Sequence, residues 1–152
     1  ISSGFCSEIK KILLSKKSNV EVKLTDSVSL IKTYGELKVI DLAKYQPYEY
    51  RINSPLKIDN ERLFFDGCSD TSNRNIYSHD YPLTIRNIIP SDLIQVGSNV
   101  VTARRVMIDW KLPLHLRRIW PVFINKDGKI IYCPRYRKDF KKDSSLNLYV
   151  KY

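Results

Sequence analysis

Nothing in this chain of 152 residues is long and apolar enough to suggest a membrane helix, which takes roughly eighteen or more consecutive apolar residues. The opening stretch, ISSGFCSEIKK, lacks the basic start and long apolar centre of a secretory signal. It begins at Ile, and we read the chain as a fragment of a longer protein: residues 1–18 as a helix continuing from an upstream domain, 19–152 as the domain proper. Cysteine is scarce. Cys6, Cys68 and Cys133 are widely spaced, odd in number and form no C-x-x-C pair. That excludes a zinc ribbon and a disulfide scaffold, and fits unreactive thiols in a reduced, cytoplasmic setting. Histidine is scarcer still. His79 sits beside Asp80 in a polar stretch and His115 sits between leucines, neither with a recognisable nucleophile set. Asp66 and Asp70 lie among turn formers and read as turn residues. There is no G-x-x-x-x-G-K-[ST] loop and no G-x-G-x-x-G. No catalytic residue, metal site or cofactor is expected in these residues.

What the chain does have is positive charge, and it is gathered at one end. Up to Ala103 there are 13 Lys/Arg against 12 Asp/Glu; from Arg104 on there are 13 against 4. The net charge of +10 therefore belongs almost wholly to the last third. A basic face confined to one segment is the footprint expected of a polyanion binder. No basic amphipathic helix of the membrane-surface kind accompanies it.

The pattern of short alternating segments predicts a β-rich α+β domain. A helix is expected from Ser3 to Ser15, with Phe5, Ile9, Ile12 and Leu13 as its apolar stripe, and a strand over Val20–Leu24. Ser29–Tyr34 and Glu36–Ile40 flank Gly35 as a hairpin. Tyr45, Tyr48 and Tyr50 are expected to pack on a sheet rather than to stack on bases. Arg62–Phe65 and Leu83–Asn87 read as strands, and residues 68–78 as a polar loop. A short helix over Arg104–Trp110 should stop at Pro113, and Leu114–Ile119 should add a helical turn. Val122–Ile124 and Lys129–Tyr132 form a hairpin across Lys126-Asp127-Gly128, Phe140–Ser145 a loop, and Leu146–Val150 a last strand.

Several of these pieces stand in a particular order. Leu83-Thr84-Ile85-Arg86-Asn87 precedes Pro90-Ser91-Asp92. Arg104 begins a helical stretch that ends in Ile108-Asp109, with Lys111 and Pro113 beyond. Arg117 precedes Trp120-Pro121, and Asp127-Gly128, Ile130, Ile131 and Pro134 close the run. This order resembles the C-terminal domain of the tRNA(Ile)-lysidine synthetase family. The resemblance is strong from Leu83 to Pro134, weaker over Ile9–Ile40, and slight from Ala43 to Ser78. It departs from the family at Ser91 and Arg135, where Gly is usual, and at Val101 and Thr102, where Lys is usual. The first two departures bear on turn geometry and the other two remove expected phosphate contacts.

The resemblance implies a compact β-sandwich-like fold, similar to a domain of the phenylalanyl-tRNA synthetase β subunit. It implies a parent ligase that joins lysine to the wobble cytidine of tRNA(Ile) with a CAU anticodon, using ATP with magnesium on an N-terminal domain whose S-G-G-x-D-S loop is absent here. This fragment would then recognise tRNA, at the acceptor stem, beside the upstream catalytic domain of the same chain and without an activity of its own. Arg104, Arg105, Lys111, Arg117, Arg118, Arg135, Arg137 and Lys138 are the candidate RNA contacts, with Lys141 and Lys142 beyond them. Their chemistry suits the task, because Arg forks match phosphate oxygens and helical RNA is gripped mainly through phosphates, 2′-hydroxyls and shape. The bland readings are that Arg86 is a buried hydrogen-bonding group, that Lys111 lies over Trp110, and that Trp120, Pro121, Ile130 and Ile131 pack the hairpin. Two competing functions remain: an editing-type enzyme, and an interdomain or homodimerisation module whose charge is incidental.

Overall fold

The computed structural model describes residues 3–61, 63–66, 76–138, 142–143 and 148–151, and these form a β-rich α+β fold. Helix α1 (Ser3–Leu14) buries Ile12 but leaves Leu13 and Leu14 exposed. The expected stripe is therefore narrower, because residues adjacent in sequence lie about 100° apart around a helix. Strands β1 (Asn19–Lys23), β2 (Val28–Thr33) and β3 (Glu36–Asp41) follow as an antiparallel sheet in that order. The β2–β3 turn has Tyr34 at φ 44° and Gly35 at φ 82°. Two left-handed residues in succession twist a tight hairpin in the sense its strands require.

The two-residue period divides this sheet into faces. Val22 and Val39 flank Leu30 on one face, together with Lys32, whose ammonium reaches the Ser15 carbonyl beyond α1. Glu21 opposes Ile31 and Asn19 opposes Thr33 on the other face. That second face meets the rest of the molecule: the Thr33 hydroxyl donates to Asn19 at 2.7 Å and accepts the Leu114 amide at 3.1 Å.

After a 3-10 turn over Leu42–Tyr45 come β4 (Glu49–Ile52), β5 (Lys57–Asp59), β6 (Leu63–Asp66), β7 (Leu83–Asn87), β8 (Leu93–Val96) and β9 (Asn99–Thr102). Helix α2 (Ala103–Asp109), β10 (Pro121–Ile124), β11 (Ile130–Tyr132), β12 (Lys142–Asp143) and β13 (Leu148–Val150) complete the order. Two four-stranded sheets result, β11-β10-β7-β4 and β12-β13-β6-β5. They share a core of Ile52, Leu63, Phe65, Leu83, Ile85, Phe123 and Leu148, with the Phe65 and Phe123 rings edge to face at 5.2 Å. Val122, facing the opposite way to Phe123, enters a second core with Val106 and Met107 of α2 and with Leu112, Leu116 and Trp120. Burying each such side chain is worth about 1.5–3 kcal/mol. Strand β10 thus stands between two cores.

Local differences from the sequence reading have local causes. Residues 93–102, to which the sequence reading assigned no element, form the β8–β9 hairpin, with Gly97 at φ 61° in its turn. Strands β5 and β12 were not expected, and β12 falls in the expected 140–145 loop. Each is held by its pairing to a strand next to it in the chain, β6 and β13 respectively. Helix α2 ends before Pro113 does anything to it. The Lys111 amide donates to Ile108 at 3.0 Å and the Leu112 amide to Met107 at 2.9 Å. With Lys111 at φ 53°, this is a Schellman end, at a position that Gly usually fills. Ser91 and Arg135 keep ordinary backbone, since Tyr34 and Lys111 are the left-handed non-glycine residues among those described. Most of the expected 68–78 loop, including Cys68 and Asp70, lies outside the described residues.

Candidate nucleic-acid interface

The turn that leads into the basic segment is locked by an ion pair. Arg86 on β7 donates to both carboxylate oxygens of Asp92, at 2.9 and 2.7 Å, and to the Asn87 carbonyl at 2.9 Å. Asp92 also accepts the Ile89 amide at 2.8 Å, and its carbonyl takes the Ala103 amide at 2.7 Å. The pair is largely buried, and the hydrogen bond to Asp92 pushes the Arg86 pKa above its already high ordinary value. Arg86 is therefore a positioning group that fixes where α2 begins. Thr102 caps α2 by accepting the Arg105 amide at 3.4 Å. A lysine there would offer charge but no cap of this kind.

The eight candidate basic residues separate by what they touch. Arg104 and Arg105 stand on the exposed face of α2, Arg105 paired with Asp109 at 3.2 Å. Arg117 donates to the Leu112 carbonyl and to the Tyr34 hydroxyl, both at 2.8 Å. Arg118 donates to both Glu21 oxygens at 2.7 and 2.9 Å. These last two arginines tie the β1–β3 sheet to the segment after α2, so their donors are already engaged within the protein. Lys111, Arg135, Arg137 and Lys138 are exposed. The cation over the Trp110 ring is Arg135, at 5.7 Å. Lys141 and the Lys142 side chain lie outside the described residues.

Three of these residues converge on one groove. A cleft of about 520 Å³ is lined by Ser18, Thr33, Tyr34, Gly35, Glu36, Trp110, Lys111, Pro113, Tyr136 and Lys138. Arg135 reaches its edge through Trp110, and Arg117 holds the Tyr34 hydroxyl. The walls come from the β2–β3 turn, the end of α2 and the strand-free segment after β11. The sequence reading missed Tyr34, Trp110 and Tyr136 as members of a common site. The Tyr-Gly turn was visible, but nothing local says that it faces a tryptophan far along the chain.

Other candidates resolve into packing. Tyr48 donates its hydroxyl to the Ile119 carbonyl at 2.7 Å and stacks on Tyr50, and Tyr45 meets the His115 ring edge-on at 5.4 Å. His115 is 4 % exposed, and Nδ1 finds no hydrogen-bond partner among the described residues. Burial, and secondarily Lys38, pushes its pKa down to about 4. Burial raises the Cys133 thiol, which keeps it protonated. His79 is exposed and stacked on Tyr77. Among the described residues no group of His, Cys, Asp and Glu is arranged to hold a metal, and no helix is long and apolar enough to cross a membrane.

Searches against protein-family models and against curated proteins find no match to this chain.

Proposed function

We propose that the chain is the tRNA-recognition part of a tRNA(Ile)-lysidine synthetase, gripping the acceptor stem while an upstream domain carries out the ATP- and magnesium-dependent ligation in the cytoplasm. The observation that carries this reading is the gathering of Lys111, Arg135 and Lys138 about one aromatic-walled groove, with Arg104, Arg105 and Arg137 exposed. The residues behind the family resemblance also interlock. Arg86 holds Asp92, and the buried Trp120 donates Nε1–H to the Pro134 carbonyl at 2.7 Å. The two sheets around one core are compatible with the sandwich-like domain of the phenylalanyl-tRNA synthetase β subunit.

The test is binding of the chain to an acceptor-stem duplex across a salt series. If about four phosphates are neutralised, log K falls against log salt with a slope of roughly −3 to −4, borrowing the duplex-DNA coefficient. Equal affinity for an isolated anticodon stem-loop overturns the acceptor-stem placement. A flat salt response favours the second reading, an interdomain or dimerisation module. That reading draws on Leu13 and Leu14 of α1 and Leu37 and Val39 of β3, all open to solvent.

A further inference from the structure

The groove carries more than charge. Tyr34 and Lys111 are the two non-glycine residues with left-handed backbone among those described, and both line it. Each occupies a position whose geometry asks for Gly or Asn: the first residue of a two-residue hairpin turn, and the residue just past a helix end. A side chain there costs backbone strain, which the hydrogen bond from Arg117 offsets in part at Tyr34 and which no side-chain contact among the described residues offsets at Lys111. The Lys111 side chain is exposed, and no interaction holds it among the described residues. The Tyr34 ring is held in place through its hydroxyl by Arg117. The two strained positions thus put an aromatic ring and an ammonium into the walls of the same cleft.

The remaining lining fits the same ligand. Trp110 and Tyr136 add aromatic surface, Lys138 a second ammonium and Glu36 a carboxylate. The cleft's volume of about 520 Å³ lies in the range of roughly 300–1,000 Å³ that takes small-molecule-sized ligands. Aromatic faces with flanking cations recognise an unpaired nucleotide with little sequence preference, because every base has a π-face.

We propose that the groove holds one unpaired nucleotide projecting from helical RNA, with its base against the aromatic wall and its phosphate on Lys111 and Lys138. This rests on the RNA-binding reading above and deepens it. The base lies toward Tyr34, where the Glu36 carboxylate can accept from an exocyclic amino group. The phosphate lies away from Glu36.

The experiment compares a short blunt RNA duplex with the same duplex carrying one unpaired 3′ nucleotide, 2-aminopurine, as a fluorescent base. The overhanging duplex should bind the chain about tenfold more tightly, the scale of one stacked base, and its fluorescence should be quenched on binding. Lys111→Gly and Tyr34→Asn both suit left-handed backbone; Lys111→Gly should hold or raise the melting temperature, whereas Tyr34→Asn also loses the hydrogen bond from Arg117 and should lower it modestly while the chain stays folded. Each should also bring the ratio of the two affinities toward one. Equal affinity for both duplexes without quenching overturns the groove assignment and leaves the broader RNA-binding reading standing. Failure to bind either duplex overturns both. Variants that keep the full overhang preference show that Tyr34 and Lys111 are not the residues that hold the nucleotide.

Discussion

At His115 the environment of one ring makes stability depend on pH. The imidazole is buried against Tyr45, and its folded pKa of about 4 lies below the ordinary value of 6.5. Between those values the unfolded chain holds a proton that the folded chain does not. The stabilisation from a neutral ring is therefore complete above the unfolded value and is lost as pH falls toward 4. The full difference corresponds to about 3 kcal/mol. Chemical denaturation at pH 7 and pH 5 should show the loss, and His115→Gln should flatten that part of the profile. An unchanged pH slope in the variant means that other groups govern it. Arg86 and Asp92 show the other way a polar group is accommodated in the interior. A buried charge is tolerated because its partner meets it with two hydrogen bonds.

Among the elements, the β1–β3 sheet depends on the segment after α2 for much of its attachment. Arg117 reaches Tyr34, Arg118 reaches Glu21, and the Leu114 amide reaches Thr33. Arg117→Ala removes two hydrogen bonds from a charged donor and should cost about 2 kcal/mol. The Arg118–Glu21 pair is about one-third exposed on each side, so Arg118→Ala should cost no more than about 1 kcal/mol. Hydrogen exchange should localise the effect, with β1–β3 amides exchanging faster in Arg117→Ala while β7 and β10 stay protected. Uniform acceleration across all sheets would mean that this segment is not a separable attachment. Arg117 is thus expected to influence any ligand of the groove through Tyr34.

For the whole molecule, the two cores and the exposed cations are separable. Trp120 is fully buried in the core that also holds Leu116, meets the Tyr136 ring edge-on and is bonded to Pro134. Trp120→Ala should cost about 3–5 kcal/mol through the cavity it leaves. Arg137 is exposed, and Arg137→Ala should leave the melting temperature nearly unchanged while weakening RNA binding by about 1 kcal/mol. Melting curves and affinities measured together check both. A melting temperature lowered as much by Arg137→Ala as by Trp120→Ala would assign that residue to the fold. In either variant the RNA affinity is to be compared at a temperature where the protein remains folded.

The elements legible in the sequence are those whose cause lies within a few residues. Gly35 and Gly128, each at φ 82°, set two hairpins through backbone preference, β7 follows from the run Leu83–Asn87, and α2 from the spacing of Val106 and Met107. The basic character of the last third was equally plain, since charge is additive along the chain. Strands β5 and β12 were not, because segments this short become strands only when a partner presents its free amides and carbonyls. The roles of the arginines were also undecided. Arg86, Arg117, Arg118 and Arg135 carry the same side chain, but folding gives them Asp92, Tyr34, Glu21 and the Trp110 ring as partners. The groove itself belongs wholly to tertiary structure. Its walls come from chain segments far apart in sequence, and only packing of the β1–β3 sheet against the end of α2 sets Tyr34, Trp110 and Lys111 around one cleft.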